Sequence, residues 1–131
     1  MPEKEYIAYK GREFQIEWYY TPKGESQALT YYLKLAPEQR RKVMMLFRIM
    51  GETGKIRDEN KFRYEGDKIY AFKPQPNRFL SFFVEGKKII VTNAFWKKQK
   101  KLPRQEKDRA LKYMISYKTR VKGGTYYEKE K

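Results

Sequence analysis

Two apolar runs separated by a four-residue turn constrain the fold of this chain more than any other feature. Residues 79–84 (FLSFFV) and 89–95 (IIVTNAF) have the length of strands and are rich in the β-branched and aromatic residues that strands favour. The four residues EGKK (85–88) join them. The pattern therefore predicts a β-hairpin with strands over residues 78–85 and 88–96.

A run of lysines follows the second strand of this hairpin. Residues 97–101 read KKQKK, and Pro103 and a helical pattern come next. The hairpin would carry this run to one edge of a sheet, with Arg78 at the start of the first strand. We therefore expect a basic edge that the rest of the chain supports.

The remaining strand patterns predict an α+β domain with a twisted antiparallel sheet. Apolar and polar residues alternate over residues 14–20, which predicts a half-buried strand. Shorter strands are expected around residues 62–64 and over residues 69–73.

Three helices are predicted. Residues 27–35 follow Ser26, a suitable N-cap, and residues 38–52 follow Pro37, which suits a first helical turn. These two should form an N-terminal helical hairpin, and a C-terminal helix is expected over residues 104–120. The second helix has apolar residues at the i, i+3, i+4 and i+7 spacing of one buried face: Val43, Leu46, Phe47 and Met50.

Length and composition favour a single domain over residues 1–131. Forty per cent of the residues are apolar, which is enough to form a packed core. The polar first 13 residues are expected to be irregular. The two ends, residues 1–12 and 123–131, are expected to be flexible.

Positive charge is the strongest feature of the composition. The chain has 31 Lys and Arg against 16 Asp and Glu, a net charge of +15. Residues 1–35 are neutral overall, whereas residues 97–122 hold eleven basic residues and two acidic ones. A local excess of this kind favours nucleic acid or an acidic protein as the partner. The alternative interpretation is a solvated, lysine-rich surface.

The chain contains neither cysteine nor histidine. A disulfide framework, a thiolate or histidine metal site, a Ser-His-Asp triad and a ribonuclease with paired histidines are therefore excluded. Acid–base chemistry would have to come from Lys, Tyr, Asp or Glu, and no metal or cofactor is expected. No apolar run resembles a signal peptide or a membrane span, so we expect a cytoplasmic protein without a membrane partner.

Six short segments follow one another at a characteristic spacing. They are GES (24–26), KIYAFK (68–73), NRF (77–79), VEGK (84–87), NAFWKK (93–98) and LP (102–103), with Ala110 and Tyr113 in the last helix. Over residues 13–118 these segments resemble the RelE/HigB superfamily of toxins, specifically its phage-derived HigB-like branch. The resemblance implies a RelE-like fold, in which a twisted antiparallel sheet has its helices packed on one side.

The resemblance also implies a function. Toxins of this family cleave messenger RNA in the ribosomal decoding site, and a cognate antitoxin, usually encoded next to the toxin, neutralises them. For this chain it implies an endoribonuclease (mRNA interferase) that inhibits translation. The implied partners are messenger RNA, the ribosome with its ribosomal RNA, and an antitoxin expected to be a helix-turn-helix protein. The basic concave face of the family corresponds to Lys73, Arg78, Lys97 and Lys98.

The chain departs from the family pattern at four positions. Lys73 stands where an arginine is usual, so the planar two-pronged phosphate contact is lost. Asn93 stands where a histidine is frequent, and an amide cannot transfer protons. Leu102 replaces a threonine. Pro103 or Arg104 stands where RelE has a tyrosine, and Tyr113 and Tyr117 are the nearest alternatives.

The expected reaction is attack of a ribose 2′-hydroxyl on the neighbouring phosphorus. Arg78 would hold the scissile phosphate because a guanidinium fixes charge and geometry together; the alternative is a structural ion pair with Asp or Glu. Lys97 and Lys98 are consecutive, so their side chains should diverge, one towards the phosphate and one towards ribosomal RNA. Crowded cations lower one another's pKa, which would make a lysine here a usable proton carrier. The predicted catalytic residues are Arg78, Lys97, Lys98 and Lys73.

Six further residues are expected to bind RNA. Phe95 and Trp96 lie on opposite faces of their strand, so one should pack in the core and the other could stack on a base; core packing of both fits the sequence equally well. The other four are expected to contact phosphates without taking part in catalysis: Lys100, Lys101, Arg104 and Lys107.

Two other functions fit the sequence. A non-catalytic protein that binds RNA or the ribosome could retain this scaffold, and the missing histidine together with Lys73 favours that interpretation. Alternatively, the basic face could serve to dock an acidic protein. Message cleavage, ribosome binding without cleavage, or neither would distinguish the three functions.

Overall fold

The computed structural model describes residues 4–127, which form a six-stranded sheet and three helices, so the α+β class is confirmed. No helix in this part of the chain is long and apolar enough to cross a membrane. The helices are α1 (Gln27–Leu33), α2 (Pro37–Thr53) and α3 (Arg104–Lys122). The strands are β1 (Ile7–Lys10), β2 (Gln15–Trp18), β3 (Phe62–Tyr64), β4 (Tyr70–Phe72), β5 (Asn77–Val84) and β6 (Lys88–Trp96).

The sheet has the order β1-β2-β6-β5-β4-β3 and is mixed. β2 pairs with β6 in parallel, with Ile16 opposite Ile89, whereas the other neighbouring strands are antiparallel. The prediction of a purely antiparallel sheet is therefore wrong for this pair. Two helices and three strands separate β2 from β6, and a connection of that length allows the chain to cross over into parallel register.

The predicted hairpin forms the centre of the sheet. β5 and β6 pair along their whole length, from Asn77 opposite Trp96 to Val84 opposite Lys88. Gly86 and Lys87 in the turn both have positive φ, 84° and 58°, which closes the hairpin tightly. The hairpin thus brings Arg78 and Phe95 opposite each other at the end that carries the lysine run.

Helices cover both faces of the sheet, whereas the family resemblance implied helices on one side. The apolar face of α2 packs with Trp18 and Phe79 on one face, and Tyr117 of α3 packs with Leu80 and Phe82 on the other. Successive residues of the central strands point to opposite faces of the sheet, and both faces are covered, so residues of either orientation are buried. For the same reason the prediction of a half-buried β2 is wrong, since even Glu17 is 2% exposed.

The two N-terminal helices fit the predicted hairpin only loosely. Ser26 caps α1 by accepting the N–H of Leu29 on its Oγ (3.3 Å), and Pro37 opens α2, as predicted. However, α1 packs mainly on β6 and α2 mainly on β1 and β2. The amide of Gln27 in α1 also makes two hydrogen bonds, 2.7 and 2.9 Å long, with the backbone of Ala94. This contact attaches α1 to the end of β6 that precedes the lysine run.

Both ends of the described chain contain more structure than the sequence suggested. β1 lies in the segment expected to be irregular, and it pairs with β2. Tyr126 lies in the segment expected to be flexible, yet it is 2% exposed and its hydroxyl accepts the N–H of Tyr20 (3.0 Å). The remainder of those predicted ends, residues 1–3 and 128–131, falls outside the described residues.

Candidate functional site

A cleft opens where β4 and β6 end and β5 begins, beside the segment that leads into α3. Its volume is about 230 Å³. We call it the basic cleft, because its lining includes six cationic side chains and a single carboxylate: Arg63, Lys73, Arg78, Lys97, Lys100, Lys101 and Glu65.

Arg78 is the most enclosed cation of the basic cleft, with 6% of its surface exposed. Its Nη1 donates to the carbonyl oxygen of Asn77 (2.9 Å) and to Oε1 of Gln75 (3.2 Å). It forms no ion pair with any carboxylate of the described chain, so the alternative of a structural ion pair does not apply there. Burial lowers the pKa of Arg78, and the negative charge of Glu65 opposes this shift. The guanidinium is thus desolvated but has no acidic partner in contact.

Lys73 follows β4 and lies next to Arg78, since Phe72 and Phe79 are paired in the sheet. Its Nζ donates to the carbonyl oxygen of Glu59 (3.0 Å). Burial lowers the pKa of Lys73, and the positive charge of Arg78 lowers it further. Crowding by a neighbouring cation thus contributes to a lowered pKa at Lys73, whereas the sequence led us to expect this effect at Lys97 or Lys98.

Lys97 and Lys98 diverge, as their consecutive positions predict. Lys97 lines the basic cleft, whereas Lys98 lines an adjacent groove of about 520 Å³ together with Trp96. Phe95 packs against the core on the α3 side, and Trp96 is 63% exposed. The interpretation in which both aromatic residues pack in the core is therefore wrong.

The four other predicted RNA contacts divide into two pairs. Lys100 and Lys101 are exposed at the rim of the basic cleft. Arg104 and Lys107 do not line it: Arg104 lies 3.9 Å from Asp108 in the same helix, and the Nζ of Lys107 lies 2.9 Å from Oδ2 of Asp67. Lys107 thus serves as a link between α3 and the turn that follows β3.

Asn93, at the position where the family often has histidine, is fully buried. Its amide donates to the backbone carbonyl (3.2 Å) and to Oε1 (3.0 Å) of Glu106. Asn93 therefore attaches the first turn of α3 to the sheet and is not part of the lining of the basic cleft.

Two charged residues of the basic cleft, Arg63 and Glu65, were not singled out from the sequence, and neither was Gln75, which accepts a hydrogen bond from Arg78. Arg63 and Glu65 are two positions apart, at and just after β3, so both project from the same face of the sheet. The alternation of a strand could have shown from the sequence that these two side chains lie on one face. It could not have shown which face they occupy, because that depends on the register of β3 with β4, where Arg63 lies opposite Ala71.

A comparison with known protein families gave a match that covers the basic cleft. A family model described as "Phage derived protein Gp49-like (DUF891)" matches residues 31–114, well over half of the chain. The matched region includes every residue that lines the basic cleft. A search of curated proteins found no match.

Proposed function

The chain belongs to the Gp49-like family of phage-derived proteins, a family of toxin-like proteins of the RelE/HigB type, and from this premise we propose that it is the toxin of a toxin–antitoxin pair. In this proposal it is a HigB-like endoribonuclease that acts in the cytoplasm. It cleaves messenger RNA on the ribosome and thereby inhibits translation.

The proposal rests on the observation that Arg78 is buried without a carboxylate partner among the described residues. A buried cation without a charged partner costs free energy, and a bound anion of suitable shape recovers it. The guanidinium of Arg78 is almost fully enclosed, has no carboxylate in contact among the described residues, and lines a cleft that is open to ligands. A phosphodiester supplies two oxygens with the geometry that a guanidinium binds best. Arg78 is accordingly assigned to the scissile phosphate.

The neighbouring lysines can stabilise the negative charge that develops during cleavage. When the 2′-hydroxyl attacks phosphorus, negative charge accumulates on the phosphorane oxygens and then on the departing 5′-oxygen. Lys97 lines the same cleft and can stabilise the phosphorane. Lys73, whose pKa is lowered, can give a proton to the 5′-oxygen.

The adjacent groove gives the RNA strand a place to continue. It shares Phe95, Gln99 and Pro103 with the basic cleft, so the two form one path around the end of β6. Trp96, exposed beside this path, is assigned to stacking on a base. Lys98, Lys100 and Lys101 are assigned to phosphates of the message or of ribosomal RNA.

An antitoxin would neutralise the toxin by covering the basic cleft. A segment with several Asp or Glu side chains matches the six cations of the lining. The helix-turn-helix class of the antitoxin rests on the family resemblance alone.

A translating extract tests the proposal. We expect the wild-type protein to produce cuts at codon intervals, mapped by primer extension. Arg78→Ala should reduce cleavage by about 10²–10³-fold, since it removes one preorganised charge from the transition state. Arg41→Ala is the matched control because Arg41 is an exposed residue of α2 outside the basic cleft, and it should leave cleavage unchanged. Uncut messages with the wild-type protein would contradict the proposal.

A second candidate function is a non-catalytic RNA- or ribosome-binding protein. The complete absence of histidine favours it, because the usual proton carrier at neutral pH is missing. In that case the protein would co-sediment with ribosomes and leave messages intact. A protein that neither cuts messages nor co-sediments with ribosomes would instead favour a basic domain that docks an acidic protein.

A further inference from the structure

The basic cleft contains one carboxylate among its cations, that of Glu65. Glu65 is half-buried and directly follows β3. Arg63, two positions earlier, lies opposite Ala71, which belongs to the core on the α3 side. Its negative charge raises the pKa of both Arg78 and Lys73, against the lowering by burial. The carboxylate is therefore close enough to the phosphate-binding residues to affect them electrostatically.

The carboxylate of Glu65 is nevertheless available to a ligand. Within residues 4–127 its side chain takes part in no hydrogen bond and no ion pair, although cations surround the cleft. Other acidic residues near this end of the fold are engaged: Asp67 pairs with Lys107, and Glu106 accepts from Asn93. Glu65 thus has the lone pairs of an unoccupied hydrogen-bond acceptor.

A carboxylate in a site that only had to bind RNA would be a disadvantage. It repels phosphate and offsets part of the attraction of the surrounding cations. In a site that cleaves RNA, the same group can accept a proton. A lysine of the lining could accept a proton only in its neutral form, and it would then lack the charge that holds the phosphate. Arginine is always protonated and cannot accept one. Glu65 alone among the ionisable lining residues can accept a proton while every cation stays charged.

We propose that Glu65 is the general base of the cleavage reaction; this inference rests on the proposed function. The carboxylate takes the proton of the 2′-hydroxyl while the 2′-oxygen forms a bond to phosphorus. The bond from phosphorus to the 5′-oxygen then breaks, and the 5′-oxygen takes a proton from the ammonium of Lys73. The products are a 2′,3′-cyclic phosphate and a 5′-hydroxyl. Afterwards Glu65 releases its proton to water and Lys73 takes one up.

The turn after β3 fixes the backbone that carries Glu65. Gly66, Asp67 and Lys68 have successive positive φ values of 89°, 52° and 69°, so the chain reverses sharply just after Glu65. The ion pair between Lys107 and Asp67 fixes this turn to α3. A general base needs such support because proton transfer depends on a hydrogen bond of defined length.

Replacing the carboxylate by an amide of the same shape tests the inference. With saturating RNA and ribosomes, we expect Glu65→Gln to cleave about 10²–10⁴-fold more slowly than the wild type. Its affinity for RNA should be equal or higher, because a negative charge has left the cleft. Glu65→Asp, which keeps a carboxylate, should recover part of the rate.

A matched control separates this effect from the change in net charge. Glu85→Gln makes the same change in the exposed turn between β5 and β6, outside the basic cleft, and should leave cleavage unaffected. If the wild type cleaves and Glu65→Gln cleaves as fast or faster, Glu65 is not the base, and the proposed function stands without it. If the wild type does not cleave at all, the proposed function fails and this inference fails with it.

Discussion

The ammonium nitrogen of Lys107 lies 2.9 Å from Oδ2 of Asp67, which joins the last helix to the turn between β3 and β4. Two of the three positive-φ residues in this turn are not glycine, so its backbone is held in a conformation that L-residues rarely adopt. Glu65 directly precedes the turn. The ion pair therefore connects the position of α3 to that of the carboxylate in the basic cleft.

Breaking this ion pair should affect cleavage more than stability. The side chains of Lys107 and Asp67 are 26% and 68% exposed, and a pair of this kind contributes about 0–1 kcal/mol to the free energy of unfolding. We expect Lys107→Met and Asp67→Asn each to lower the cleavage rate by about 10- to 100-fold, because the base is displaced. Lys112→Met, on an exposed position of the same helix, serves as the control. If Asp67→Asn cleaves normally while Lys107→Met loses RNA affinity, then Lys107 binds RNA directly.

The affinity for RNA should fall at high pH in a way that depends on Lys73. A lysine is cationic below its pKa, and burial and Arg78 lower the pKa of Lys73, so its charge is lost at a lower pH than that of surface lysines. Lys73→Arg keeps its charge throughout. Fluorescence anisotropy with single-stranded RNA, between about pH 7 and 10, should show that the RNA affinity of the wild type falls at a lower pH than that of Lys73→Arg. Parallel curves for the two proteins would mean that Lys73 does not contact the RNA.

The rim lysines should set the salt dependence of binding without selecting the cleavage position. Each phosphate contact with single-stranded RNA contributes about 0.7 to the slope of log K against log salt concentration. We therefore expect the double variant Lys100→Ala/Lys101→Ala to lower that slope by about 1.4 and to cut messages at the same positions. An unchanged slope would remove both lysines from the interface.

Substituting the two neighbouring aromatic residues should have different effects, one on RNA binding and the other on stability. Trp96 is 63% exposed, so Trp96→Ala should weaken RNA binding by about 1–3 kcal/mol and leave urea unfolding nearly unchanged. Phe95 packs against the core on the α3 side, so Phe95→Ala should lower the free energy of unfolding. An RNA affinity that Trp96→Ala does not alter would argue against stacking at this position.

Close contact between two glycines makes a further prediction about stability. A Cβ atom on Gly11 would lie 2.3 Å from the carbonyl carbon and oxygen of Gly51, where the loop after β1 meets α2. That carbonyl oxygen also accepts the backbone N–H groups of Glu13 and Phe14 (2.7 and 3.0 Å). We expect Gly11→Ala to lower the free energy of unfolding by about 1–3 kcal/mol or more. A Cβ atom on Gly123 would lie 3.5 Å from its nearest neighbour, the carbonyl oxygen of Thr119, so the control Gly123→Ala should change the free energy of unfolding little.

Local patterns were sufficient for the elements that are long and regular. The hairpin of β5 and β6 follows from two apolar runs around a short turn, and the buried face of α2 follows from its helical spacing. The divergence of Lys97 and Lys98 follows from the alternation of a strand. Each of these properties depends on residues that are close together in the chain.

The basic character of the site and the identity of Arg78 and Lys73 as its centre were thus determined by the sequence, through their spacing and through the family pattern. Only the tertiary structure decided that helices lie on both faces, that β2 runs parallel to β6, and that Lys107 holds a turn. It also decided that Glu65 lines the same cleft as Arg78, 13 positions further along the chain. The physical reason is that strand register and the packing of α3 place these groups together, and both are set by contacts between distant residues that no local pattern encodes.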